Sequence, residues 1–290
     1  MVIKIKKIHV LALIMAVLSL SFIFAIKYEE KAETVSAGDT VKLPVVMYHH
    51  ITENPKKAGD YTVTTAEFES DLKYLKKFGY TAVSISELID YIYSNKDLPE
   101  KPIAITFDDG FESYKALAMP ILERYNMKST VFIIGSTTQL YSEINDHHIS
   151  YSNLNWEAVK ELAASPLCEV HSHTYDFHHN EKGERKGMNR LKGESEEEYG
   201  KVLSDDLMKL QKLFTEHGLK QPTAIAYPFG AYDKSTKSII KSLGFKVSFT
   251  CEGRINTLKT GYGECLYNLG RYNRKSGITS EDFFSDILAL

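Results

Sequence analysis

The sequence predicts a distorted (β/α) barrel of about seven parallel strands. Three observations carry that prediction. Short apolar runs alternate with amphipathic stretches seven or eight times along the chain, the order expected of parallel strands with helices packed outside them. His49, Asp108 and Asp109, His171 and His173, and Phe229-Gly230 each follow directly after one of those runs. No Gly-x-Gly-x-x-Gly loop and no P-loop is present, which weakens the doubly wound, nucleotide-binding alternatives. In a (β/α) barrel the C-terminal strand ends share one face, and that face carries the active site.

The first forty or so residues read as an address. Lys4, Lys6 and Lys7 precede an apolar run from Val10 to Ile26, broken only by Ser19 and Ser21. A basic segment before an apolar one is the layout of a secretory signal, and the run approaches the ~20 residues that span a bilayer. No small-x-small site follows it directly, and Val35-Ser36-Ala37 lies well downstream. An uncleaved signal anchor is favoured over a cleaved peptide, with the leading lysines cytoplasmic and the body outside. The expected division is residues 1–41 as signal or anchor plus linker and 42–290 as one catalytic domain, exported, touching a membrane only through an uncleaved N-terminal segment.

Within the body, Leu43 to Tyr48 is the first predicted strand. Thr64-x-x-Glu67 is a capping box opening a helix with Phe68, Leu72 and Leu75 on one face and Gly79 as its stop. Tyr80 to Val83 is a strand, and Ser84-x-x-Glu87 opens a second helix through Leu88 and Ile92. The Ile103 run ends at Asp108-Asp109-Gly110. A helical stretch with Leu117, Ile121 and Tyr125 leads to the strand from Thr130 to Ile134. Asn155 to Ala164 reads as a short helix, and a strand through Glu169 and Val170 runs into His171-Ser172-His173. The polar segment from His179 to Gly200 reads as an exposed loop. The helix after it presents Tyr199, Val202, Leu203, Leu207, Leu210 and Phe214. Thr223 to Tyr227 is a strand ending at Pro228-Phe229-Gly230. A helix with Ile239, Ile240 and Leu243 stops at Gly244, and strands fit Lys246 to Thr250 and Leu266 to Leu269.

The 290 residues carry 35 basic and 38 acidic side chains, well mixed, so nothing suggests a nucleic-acid surface. Cys168, Cys251 and Cys265 do not make a disulfide framework, although Cys251 and Cys265 could pair in an oxidising compartment. No pattern sets an oligomeric state.

The chemistry concentrates in two segments. Strand alternation sends Asp108 and Asp109 in different directions, so one can hold a metal while the other moves a proton. His173 and His178, five apart, cannot share one face of a straight helix, but a loop leaving a strand can bring both to one ion. With Asp109 they offer two nitrogens and one oxygen, a set suited to Zn²⁺ or a similar divalent metal with positions left open. His171 shares the parity of His173 and stays open as an alternative.

Thr106-Phe107-Asp108-Asp109-Gly110, then His173-x-x-x-x-His178, then Tyr227-Pro228-Phe229-Gly230, resembles the polysaccharide deacetylases of carbohydrate esterase family 4, over roughly Leu43 to the C-terminus. The resemblance implies a distorted barrel and metal-dependent hydrolysis of acetyl groups on a sugar. It implies Asp108 as general base, Asp109, His173 and His178 as metal ligands, and a backbone N–H at Phe229, in the turn with Tyr227 and Pro228, for the oxyanion. The two histidines and one carboxylate suit Zn²⁺, with Co²⁺ or Ni²⁺ as alternatives.

The chain also departs from the common family pattern. Ala226 stands where many members have an arginine that orients the base, and Arg271 and Lys128 are candidates to replace it. No histidine follows His217, where many members place a catalytic one. Met47-Tyr48-His49-His50 instead resembles the extracellular subgroup that deacetylates poly-N-acetylglucosamine, which implies His49, rather than His50, as the general acid. The expected substrate is an N-acetylated extracellular or cell-wall polysaccharide, of poly-N-acetylglucosamine or peptidoglycan type. A glycoside hydrolase and a non-catalytic glycan-binding protein on the same scaffold are the competing readings.

Overall fold

A computed structural model describes residues 34–35, 40–181 and 185–288. The apolar N-terminal run and its proposed signal lie outside them. Among the described residues no helix is long and apolar enough to cross a membrane.

Seven parallel strands form one curled sheet. In chain order they are β1 (Val45–Tyr48), β2 (Pro102–Phe107), β3 (Ser129–Ile133), β4 (Cys168–Ser172), β5 (Ala224–Ala226), β6 (Val247–Phe249) and β7 (Tyr272–Asn273). Their spatial order is β6-β5-β4-β3-β2-β1-β7, and Thr81–Ala82 pairs in parallel with the start of β2. The chain around β7 reaches both edges. Tyr272 pairs with Val46 of β1, while the Leu269 N–H donates to Ser248 O and the Thr250 N–H to Leu269 O. A single short segment therefore bridges the seam of the barrel.

Both faces of the sheet are covered, so its strands are apolar at nearly every position. One parity (Val45, Ala104, Phe132, Ala224, Ala226, Val247, Phe249) fills the barrel interior together with Ile85, Leu88 and Ile92 of the helix Ile85–Ser94. The other parity (Val46, Tyr48, Ile105, Phe107, Val131, Ile133) packs against helices outside.

Among the described residues there are eight α-helices: α1 (Thr65–Lys77), α2 (Ile85–Ser94), α3 (Met119–Tyr125), α4 (Gly135–Ile144), α5 (Trp156–Ala163), α6 (Glu196–Glu216), α7 (Thr236–Ser242) and α8 (Ser280–Leu288). Both predicted capping boxes form, at Thr64/Glu67 and Ser84/Glu87, and a third sits at Ser195/Glu198. Asn155 caps α5 through the Ala158 N–H.

Three expectations are corrected. Leu266 to Leu269 is not a strand: it is the end of a 3₁₀ turn followed by a single bridge from Leu269 to Phe249. The polar run from His179 to Gly200 is not simply an exposed loop, because α6 begins at Glu196 and Met188 is fully buried. Val202 is exposed, and the buried face of α6 includes Asp206 and Gln211 instead. Helices α4 and α8 and the antiparallel pair Thr40–Leu43 with Asn256–Lys259 were not foreseen.

Candidate active site

His49, Asp108, Asp109, His173 and Phe229 stand at or just beyond the C-terminal ends of β1, β2, β4 and β5, with His178 in the loop after β4. Asp108 continues β2, its N–H donating to Tyr48 O at 2.9 Å. Asp109 then turns into the left-handed region (φ 67°), followed by Gly110 at the same φ. The two carboxylates diverge because of that turn, not through strand alternation alone. The turn is held from outside: Asn153 Nδ2 donates to Asp109 O at 2.6 Å, and the Leu154 N–H to Gly110 O at 2.7 Å.

Asp109 Oδ1 lies 3.4 Å from His173 Nε2 and 3.2 Å from His178 Nε2. One ligand atom from each residue falls within 4.8 Å of the others, the one such group of three among the described residues. His173 Nδ1 is 2.8 Å from Ala226 O. A carbonyl only accepts, so Nδ1 carries a proton and Nε2 is the ring nitrogen that faces the cluster. Asp109 Oδ1 is buried with no hydrogen-bond partner, and an orphaned carboxylate oxygen facing two imidazole nitrogens suits a divalent cation. Burial pushes the Asp109 carboxyl up, but His173 and His178 outweigh it and hold it far below the usual carboxylate range. His178 is raised in turn: burial lowers it, and the Asp109 carboxylate more than compensates.

Asp108 is 2% exposed and gripped by Arg271, with Nη1 to Oδ1 and Nη2 to Oδ2 both at 2.7 Å. Arg271 is itself fully buried. Its Nε donates to Thr250 O at 3.0 Å, and its guanidinium lies 5.8 and 5.7 Å from the ring centroids of Phe132 and Phe249. Of the two candidates to stand in for the absent arginine at Ala226, Arg271 meets Asp108, whereas Lys128 pairs with Glu87 at 2.5 Å. Burial acts to raise Asp108, but Arg271 and then His173 outweigh it, and the carboxyl sits below its ordinary value.

His49 and His50 separate as neighbours at a strand end do. His49 feels the charges of Asp108, Asp109, Arg271 and His173; burial lowers its pKa, against the pull of the two carboxylates. Its Nδ1 is buried without a partner, and its ring meets Tyr61 edge-on at 4.9 Å. His50 instead bonds Ser113 Oγ through Nδ1 at 2.7 Å and packs on Phe111.

Phe229 adopts φ 58°, ψ 12° and places its ring 4.5 Å from that of His178. Gly230 follows at φ 64°, where a Cβ would stand 2.7 Å from Cys251 N, so this turn needs glycine. Tyr227 is buried, its hydroxyl donating to Asn268 Oδ1 at 3.0 Å and lying 2.8 Å from Ser248 Oγ, which can donate to it. Its side chain is thus engaged by Ser248 and Asn268. His171 stands apart from the cluster, with Nε2 3.3 Å from Glu169 Oε2. All three cysteines are free.

With this geometry in hand, comparison with known proteins decides the family. The polysaccharide deacetylase profile matches residues 95–248. The chain belongs to the polysaccharide deacetylase family. The poly-β-1,6-N-acetyl-D-glucosamine N-deacetylase of Staphylococcus aureus is 31% identical over 202 residues, covering 70% of this chain and 65% of that protein. A protein of Bacillus subtilis (strain 168), provisionally named polysaccharide deacetylase YxkH, is 28% identical over 89% of this chain and 82% of its own length. The structure of IcaB from Ammonifex degensii superposes with a TM-score of 0.67 at 28% identity, covering 83% of this chain and 94% of that one. This polysaccharide deacetylase keeps a His/Asp cluster suited to a metal, and it takes the arginine for Asp108 from the chain entering β7 rather than from β5.

Proposed function

We propose that the protein removes N-acetyl groups from an exported polysaccharide of the poly-β-1,6-N-acetylglucosamine type, with a divalent metal held by Asp109, His173 and His178. The observation that carries this reading is the juxtaposition of two differently equipped carboxylates. Asp109 faces two imidazoles, and Asp108, its neighbour in sequence, is locked by an arginine beside them. The relative from Staphylococcus aureus supports the substrate class, and the basic-then-apolar N-terminal segment supports export.

Asp108 is ionised at neutral pH and held at both oxygens by Arg271, so it serves as the base that takes the proton of the attacking water. A zinc-type ion bound by the three ligands supplies Lewis-acid polarisation of the acetyl carbonyl and a lowered water pKa. The Phe229 N–H, on its left-handed turn, is assigned to the developing oxyanion. His49 gives a proton to the departing amine. Burial lowers its pKa against the pull of Asp108 and Asp109, so the proton it carries is readily released.

The paired-carboxylate glycosidase reading needs one carboxyl held protonated as an acid. Asp108 and Asp109 both lie below the ordinary carboxylate value, which argues against it. Acetate release from poly-β-1,6-N-acetylglucosamine, set beside peptidoglycan and acetylated xylan and measured with and without added zinc, tests the proposal. Acetate from the first polymer alone, abolished by chelation, supports it. Cleaved glycosidic bonds, or acetate release indifferent to chelation, would overturn it.

A further inference from the structure

The loop that carries the two imidazoles is held by a carboxylate that no motif marks. Five consecutive backbone N–H groups, from His173 to Phe177, all have partners. His173 donates to Ile133 O at 2.8 Å and so extends the β3–β4 pairing. Thr174 donates to Ser172 Oγ and Phe177 to Thr174 Oγ1, both at 3.1 Å. The two between them, Tyr175 and Asp176, donate to the two oxygens of Asp206, each at 2.8 Å.

Asp206 comes from the middle of α6, on the face that also buries Leu203, Leu207 and Leu210. A carboxylate is costly there. Burial pushes it up to about 6, against the pull of the two N–H donors. Nothing in the helix requires an acid at this position, whereas the two N–H groups of the loop do.

The opposite side of the loop is pressed as well. The Gly135 N–H donates to Thr174 O and the Ser136 N–H to Tyr175 O. A Cβ on Gly135 would stand 2.7 Å from Tyr175 Cδ2. Thr174, a β-branched residue, sits at φ 70°, a conformation that persists only where its surroundings impose it.

We propose that Asp206 is the positioning residue of the metal loop. By accepting the two central N–H groups it fixes the path between His173 and His178, and with it the approach of both Nε2 atoms to Asp109. It thereby sets metal affinity without touching the metal. The proposal rests on the reading of Asp109, His173 and His178 as metal ligands.

The test is the zinc dissociation constant of the full-length protein, by competition with a chelator, for wild type and Asp206→Asn. An asparagine keeps one acceptor and turns an N–H group against the other donor. The expected result is affinity about 10–100-fold weaker, the usual effect of losing a group that orients ligands, with kcat returning to near the wild-type value at saturating zinc. A purely structural role would lower the melting temperature of the metal-free variant and leave zinc affinity alone. An affinity within about threefold of wild type therefore overturns the proposal. Should the variant fail to fold, amide exchange in metal-free wild type decides. Slow exchange at Tyr175 and Asp176 is expected, and exchange at the rate of an open loop overturns the clamp. A wild-type protein that takes up no zinc, cobalt or nickel removes the ligand reading itself. Tight wild-type binding equalled by Asp206→Asn removes the clamp alone.

Discussion

Replacing Arg271 by methionine removes both hydrogen bonds and the counter-charge from a carboxylate that is 2% exposed. Breaking a buried pair on one side costs about 3–5 kcal/mol, so the variant should melt well below wild type. Its surviving activity should show a displaced acid limb. The arginine holds Asp108 down, so its loss raises that pKa, and activity should disappear at a higher pH than in wild type. A pH profile of kcat/KM that keeps its acid limb in Arg271→Met would separate Arg271 from the base. The two histidines after β1 make a second residue-scale prediction. His49→Ala should lower kcat by about 10²–10⁴-fold, the usual worth of a positioned acid, with metal content retained. His50→Ala should do far less, because its ring is engaged by Ser113 and Phe111. The reverse ranking, in steady-state kinetics, would give the acid role to His50.

At the scale of elements, β4 carries a pH-sensitive tie to α2. The Glu169 carboxylate accepts from the Ser86 N–H, with oxygens at 3.3 and 3.2 Å, and faces His171 Nε2. Burial acts to raise its pKa, but His171 and Ser86 outweigh it and push it down to about 2 from an ordinary 4.5. A depressed carboxylate contributes stability that is complete above its unfolded pKa and is lost as pH falls toward the folded value. Between pH 5 and pH 3 wild type should therefore lose about 1–2 kcal/mol more than Glu169→Gln, read from urea unfolding at the two pH values. Equal losses would show that this tie contributes nothing. Much of the element order was legible because it is written locally. The capping boxes at Thr64 and Ser84, the stops at Gly79 and Gly244, and the apolar strands all need only neighbours in sequence. Helix α4 was missed because its N-cap is Ile134 and it opens on Gly135-Ser136, with no capping signature. Leu266 to Leu269 misled because a short apolar run alone does not separate a strand from a buried turn.

For the whole molecule, the split between what was legible and what was not follows contact range. Asp108, Asp109, His173 and His178 stood out because short motifs carry them. Of their partners, Arg271 could be named only as one of two candidates, because it reaches Asp108 from 163 positions away, and Asp206 was not foreseen, because no motif links α6 to the loop it holds. The sheet order brings the chain at Arg271 between β6 and β1, beside the end of β2, and only the closed topology reveals that proximity. The same closure binds the C-terminal region. Arg274, three residues on, reaches Asp71 of α1 through Nε at 2.8 Å, and Asp71 also accepts from Tyr48 and Ser280. Arg274→Met should accordingly destabilise the fold by about 3–5 kcal/mol while leaving zinc affinity unchanged, as chelator competition on the folded fraction would show. A variant as stable as wild type would mean that the Asp71 network does not hold the seam.

The central claim is a division of labour between adjacent carboxylates, Asp109 on the metal and Asp108 on the proton. The most direct test measures zinc content and acetate release from poly-β-1,6-N-acetylglucosamine on the same preparations of wild type, Asp108→Asn and His173→Ala. Wild type should hold one metal ion and release acetate, Asp108→Asn should hold the ion and release none, and His173→Ala should do neither. An Asp108→Asn protein that has lost its metal, or a His173→Ala protein that keeps both metal and activity, would contradict the account.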